Sequence, residues 1–258
     1  MRISSALSPV HPGLPDARRW ASGIASLDAA LGGGLAYGRV HEIYAADVAD
    51  APAAAGFALA LGTAMPRPGQ TVLWLRSRRG LGLGGVLQGN GWNELGAAPG
   101  QALVGLVPDS LALLRAAVDA LRCATLGAVI AEGWGPMREL DLTASRRLAL
   151  AAQQSGVPLL LLRADARPVP SAAQTRWQVA AAPSRALPGQ APGQASFAIT
   201  LLRQRSGPCG IDWQLEWNRD QRTFSEAAVS GAVVSVPVRR TAADRGTGLP
   251  GADARVAA

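Results

Sequence analysis

Two positions in the chain bear on nucleotide chemistry: one departs from what that chemistry needs, and the other retains a hint of it. Arg39–Tyr44 reads as a buried strand and Pro52 to about Ala64 as an Ala/Leu-rich helix. The stretch between them, beginning at Ala45, occupies the place of a phosphate-binding loop. Such a loop needs small residues so that backbone N–H groups can surround the phosphates. It also needs a lysine for the outer phosphate oxygens and a serine or threonine hydroxyl for Mg²⁺. Where the lysine and hydroxyl would stand, the chain has Asp50-Ala51-Pro52. All 25 basic residues are arginine, so no lysine elsewhere can substitute. The second position is Glu132, which closes the apolar run Gly127–Ala131. A carboxylate at the C-terminal end of a parallel strand is the usual place to hold Mg²⁺. Without the other two groups, a structural or relic carboxylate is the stronger reading of Glu132. Cys123, Cys209, His11 and His41 form no CxxC or HxxxH spacing, so no zinc site is expected and the two distant thiols read as reduced.

The elements that would position these residues follow from apolar spacing. Residues 1–20, with Pro9, Pro12, Pro15 and the Arg18-Arg19-Trp20 step, read as an extended N-terminal arm. Trp20 is a candidate docking anchor, with packing on the domain edge the stronger alternative. Ser26 is placed as the N-cap of a short helix, Leu27–Leu31, ended by Gly32-Gly33-Gly34. Thr71–Arg76, Ala102–Val107, Gly127–Ala131 and Val157–Arg163 read as further strands, and their continuous apolar character suggests parallel strands covered on both faces. Gly80–Gly91 reads as irregular or partly helical. Asp109 or Ser110 opens a helix to about Arg122, with Leu111, Leu114, Val118 and Leu121 on one face. Leu140–Ser155 is a long amphipathic helix, and Ala164–Pro170 a short loop beside Arg163 and carrying Arg167. Thr175–Ala182 and Phe197–Arg205 follow as strands, with Arg203 and Arg205 extending the side that carries Phe197, Ile199 and Leu201. In Ile211–Asn218 the alternation of Ile211, Trp213, Leu215 and Trp217 with polar residues marks a half-buried strand. The expected fold is α/β: a mostly parallel twisted sheet flanked by helices, with a C-terminal antiparallel hairpin.

The 258 residues are 48 % hydrophobic and 17 % charged, enough for one domain over 21–228 to bury a core. Residues 229–258 read as a disordered tail, with Val233–Arg240 a weak candidate for strand addition to a partner. The net charge of +7 is spread over the body and both tails, so it does not by itself argue for nucleic acid. No apolar stretch reaches membrane-spanning length and the N-terminus lacks an apolar leader, so a soluble cytoplasmic protein is expected, without membrane contact.

The run Ser22–Tyr44 carries a Ser-Gly-x-x-x-Leu-Asp helix, a Gly-Gly-x-Leu-x-x-Gly-Arg turn and a Glu-Ile-Tyr strand end. In this it resembles the start of the core domain of RecA-type recombinases. The closer resemblance, from about Ser22 to Phe224, is to the ImuA family, RecA-like accessory proteins of bacterial damage-induced mutagenesis that often have an eroded phosphate loop. SulA-type proteins are related. RecA-like ATPases carry a catalytic glutamate just past the second strand; here Arg78 falls at that place, and an arginine stays protonated and cannot act as the base.

The resemblance implies a RecA-like core without enzymatic activity and without a bound cofactor. It implies an adaptor role in SOS-induced translesion DNA synthesis, with an ImuB-like protein and an error-prone DNA polymerase as partners. Three alternatives remain: a SulA-like division inhibitor, a DNA-dependent ATPase, and weak binding of single-stranded DNA. The last would use Arg76, Arg78, Arg79, Arg203 and Arg205, if all five lie at one end of the sheet.

Overall fold

A computed structural model describes residues 18–66, 70–98, 100–185, 187–191 and 193–227. The tail 229–258 and all of the arm before Arg18 lie outside the described residues. Arg18–Trp20 do not: Arg19–Trp20 (β1) pairs antiparallel with Leu35–Ala36 (β2) as a small separate ribbon.

Nine strands form the main sheet: Val40–Ala45 (β3), Thr71–Ser77 (β4), Ala102–Val107 (β5), Leu126–Trp134 (β6), Leu159–Ala164 (β7), Thr175–Ala181 (β8), Ser196–Gln204 (β9), Ile211–Asn218 (β10) and Thr223–Glu226 (β11). Their order is β11-β10-β9-β8-β3-β7-β6-β4-β5. The six from β8 to β5 are parallel, and β9, β10 and β11 complete the sheet antiparallel. The runs Leu159–Leu162 and Ala128–Ala131 are buried on both faces, which is why they are apolar without alternation. One face packs against Ala51–Ala64 (α2), burying Phe57, Leu61 and Trp177 among others. The other packs against Ser110–Leu121 (α5) and Leu142–Ser155 (α6), burying Leu113, Leu121, Leu148 and Leu161. Trp213 and Trp217 of β10 are core residues.

Three expectations change. The first helix is Ala25–Ala30 (α1), and Ser26 does not cap it. The Asp28 carboxylate reaches back instead, accepting from Ser22 N at 2.9 Å, Ser22 Oγ at 2.8 Å and Gly23 N at 3.1 Å. Ser26 Oγ accepts from Trp213 Nε1 and donates to Glu226, tying α1 to the far hairpin. The buried face of α5 is Leu113, Leu114, Ala117 and Leu121; Leu111, in the first turn, is exposed. The third concerns β9, where the pairing with β8 shifts register between Arg176 and Trp177, leaving Leu202 unpaired. Past that bulge the faces exchange. Gln204, not Arg203, reaches α1, donating to Ala30 O at 2.9 Å.

Candidate functional site

The loop after β3 is closed by its own carboxylates. Asp47 Oδ1 accepts from Ala49 N at 3.1 Å and caps a 3₁₀ turn, Val48–Asp50. Asp50 Oδ1 accepts from Ala181 N at 2.9 Å, and Ala46 N donates to Val179 O at 2.8 Å, so the loop is stitched to β8. Pro52 removes one amide from the first turn of α2. From Ala45 to Pro52, then, the loop offers a phosphate no side-chain cation and presents two carboxylates that would repel it.

Glu132 is not at a strand end. The strand runs on two residues to Trp134, and Glu132 sits opposite Arg76 in the β4–β6 register. It is 3 % exposed and Arg76 is 2 % exposed. Oε1 accepts from Arg76 Nη2 at 2.7 Å and from Trp134 Nε1 at 2.6 Å. Oε2 accepts from Trp74 Nε1 at 2.9 Å and lies 2.7 Å from Arg76 Nε. Arg76 Nη1 donates to Gly85 O at 2.7 Å. A carboxylate held by two indoles and a guanidinium has no free direction for a hydrated Mg²⁺ ion. Among the described residues no cluster of three His, Cys, Asp or Glu side chains could hold a metal.

Above this pair opens a cleft of about 480 Å³ at the C-terminal ends of β4, β6 and β7, beside the N-terminus of α2. Its walls include Leu59, Trp74, Leu83, Val86, Trp92 and Trp134. The indoles of Trp74 and Trp92 meet at 5.6 Å between centroids. Two short helices, Arg78–Gly84 (α3) and Gly89–Glu94 (α4), form the outer wall and cover most of the stretch 80–91, expected to be irregular or partly helical. Ser77 starts α3, its Oγ accepting from Gly80 N at 3.2 Å. Glycine at 84 lets this helix lie on Trp134, since a Cβ there would stand 2.6 Å from the indole. Trp92 and Trp134 carried no site signal in the sequence. Trp134's place two residues beyond Glu132 on one strand puts both side chains on the same face, which is the one clue it offered.

The candidate arginines do not converge. β9 runs against β8, so its last residue, Gln204, pairs with Thr175 at the beginning of β8. Arg203 and Arg205 therefore lie at the end of the sheet opposite to Arg76, Arg78 and Arg79. Arg76 is consumed by Glu132, while Arg78 and Arg79 are exposed at the start of α3. Arg163, expected at the edge of a loop, is a buried residue of β7 that donates from Nη2 to Gly135 O at 2.9 Å, and burial lowers its pKa. Trp20 is half-buried, its ring edge-on to Phe224 at 6.4 Å.

No family model and no curated protein matches the sequence. Among solved structures the chain is similar to the crystal structure of the RadB recombinase, with a TM-score of 0.52 and 15 % sequence identity over 81 % of this chain and 99 % of that one. The fold is RecA-like. At that identity the likeness concerns the fold alone. In this RecA-like chain the loop after β3 and the acid on β6 hold neither of the groups that handle phosphate and Mg²⁺ in a phosphate loop. No helix among the described residues is long and apolar enough to cross a membrane.

Proposed function

We propose that this chain is a non-catalytic RecA-like accessory protein of the ImuA kind. It acts in the cytoplasm in damage-induced translesion synthesis, as an adaptor between an ImuB-type polymerase-like protein and an error-prone polymerase. The observation that carries the reading is Glu132: its carboxylate is filled by Arg76, Trp74 and Trp134, in a chain without lysine. A nucleotide site reworked in this way keeps the RecA-like frame and leaves its surfaces for protein contacts. The free edge of the sheet supports this. β5 exposes Leu103, Val104 and Leu106, and its outer edge, unpaired among the described residues, carries no charge or proline to blunt it. Such an edge is a template for another chain's strand.

The test is capture of the ImuB-type protein of the same organism by purified full-length chain, and by versions lacking residues 1–17 or 229–258. Truncation at 17 spares Arg19–Trp20, which belong to the folded ribbon. Retention at micromolar concentration is expected. No retention by the full-length chain would overturn the adaptor reading.

A further inference from the structure

The two edges of the main sheet are built differently. β11 is four residues long, ends on Glu226 and follows Arg222, so charge and brevity blunt it. β5 has neither protection. Its six residues are Ala-Leu-Val-Gly-Leu-Val, and no charged residue stands between Glu94 and Asp109. Leu103, Val104 and Leu106 are each half exposed or more. α5 packs mainly over β4 and β6, so it is set back from this edge and leaves room beside it.

The ladder fixes which backbone groups are free. Val72 N donates to Gln101 O at 2.8 Å, so Leu103, Gly105 and Val107 turn their N–H and C=O groups towards β4. Ala102, Val104 and Leu106 turn theirs outward. The side chains alternate with the same period. Ala102, Val104 and Leu106 share the face of Trp74; Leu103, Gly105 and Val107 share that of Leu73 and Leu75.

A second copy of the chain satisfies this pattern. A twofold axis normal to the sheet at Gly105 sets β5 antiparallel to its own copy, with like faces together. Val104 then lies opposite Leu106 of the other copy on both sides of the axis, and each such pair exchanges both backbone hydrogen bonds. On the other face Leu103 lies opposite Val107. Pro108, which lacks an N–H, falls opposite Ala102 at the end of the ladder. An axis at Val104 would set Leu106 against Ala102 and Leu103 against Gly105, large side chains against small ones. The net charge of +7 does not oppose the contact locally, because neither paired strand carries a charge. The chain's own tail does not reach this edge with its apolar run. The tail leaves from β11, eight strand spacings from β5, or roughly 38 Å. The six residues from Ala227 to Val233 span about 20 Å at most. The same run donated to a neighbour would give an open polymer rather than a closed pair.

We propose that this chain forms a twofold dimer through β5, which joins the two sheets into one. The assignment does not depend on the adaptor reading.

The test is the molar mass of the purified full-length chain by light scattering at micromolar concentration, beside Val104→Lys/Leu106→Lys. Both residues are exposed, so the variant should keep its circular dichroism. The wild type is expected at twice the chain mass. The variant sets lysine against lysine on both sides of the axis and should dissociate at least about tenfold more readily. The register is read by cysteine in a Cys123→Ser/Cys209→Ser background, which removes both exposed thiols. Leu103 and Val107 would form a non-hydrogen-bonded pair with Cα atoms about 4.5 Å apart, within reach of a disulfide. Mixed Leu103→Cys and Val107→Cys chains should therefore cross-link to each other on mild oxidation, and neither to itself. A monomeric wild type, with the edge free or covered by residues 1–17, overturns the proposal. So does a dimer unmoved by the lysines, or cross-linking of either cysteine chain only to itself. Capture of the ImuB-type protein is read separately. A monomer that captures it leaves the adaptor standing, and a cross-linked dimer that fails to capture it leaves the pairing standing.

Discussion

Glu132 and Arg76 face each other across two neighbouring parallel strands, both nearly inaccessible to water. Breaking such a pair by removing one partner leaves a buried charge alone and costs about 3–5 kcal/mol. Arg76→Met should therefore lower the urea midpoint sharply. Arg76→Met/Glu132→Leu should recover part of the loss but not all, because the indole N–H groups of Trp74 and Trp134 would then lack their acceptor. Equal stability of the single and double variants would show that the pair is not what holds the two strands' ends. The loss of the lysine could be read from the chain directly. The engagement of Glu132 could not, because Arg76 lies 56 positions away and meets it only through the β4–β6 register. His41 is a second buried group with a measurable consequence. A carbonyl can only accept, so Nε2–H donates to Ala36 O at 2.9 Å and Nδ1 accepts from the Thr175 hydroxyl at 2.7 Å. Burial pushes its pKa from 6.5 down to about 4. Above pH 6.5 the folded and unfolded chains both hold a neutral imidazole. As pH falls from 6.5 towards 4, only the unfolded chain takes up the proton, so stability declines, by roughly 3 kcal/mol at the lower limit. His41→Gln should flatten the fall in unfolding free energy over that window, and an unchanged slope would exclude His41 as its source.

At the scale of elements, the continuous apolar runs made the central strands legible, because a strand covered on both faces has no polar positions. The positions that misled depend on single irregularities. The bulge at Leu202 turns Arg203 off the face that carries Leu201, and a period-two pattern cannot register one extra residue. The sheet end at which Arg203 and Arg205 lie depends on β9 running against β8, which no local spacing encodes. The stretch that holds α3 read only as irregular or partly helical because Arg-Arg-Gly-Leu-Gly-Leu-Gly has poor helical propensity. Gly80 and Gly84 serve packing instead. A methyl group at 84 would meet the Trp134 indole at 2.6 Å and Arg76 Nη2 at 3.0 Å. Gly84→Ala should therefore destabilise the chain by about 1–3 kcal/mol and shift tryptophan emission, although alanine is the better helix former. A gain in stability would mean that α3 does not rest on Trp134.

For the molecule as a whole, the proposed reading is a RecA-like frame without nucleotide chemistry, and ligand linkage tests it. A protein that binds a nucleotide only when folded gains about 2.7 kcal/mol of stability at a hundredfold excess over the dissociation constant. In a domain of this size each kcal/mol raises the unfolding temperature by roughly 2–4 °C. Here the loop after β3 shows Asp47 and Asp50 to any phosphate, and the acid that would hold Mg²⁺ is filled by its neighbours. Millimolar Mg²⁺–ATP should leave the unfolding temperature unchanged, with and without single-stranded DNA. The opposite result, stabilisation by Mg²⁺–ATP that disappears in Glu132→Gln, would require Glu132 to release Arg76 on binding and would return the chain to the nucleotide-driven members of its fold.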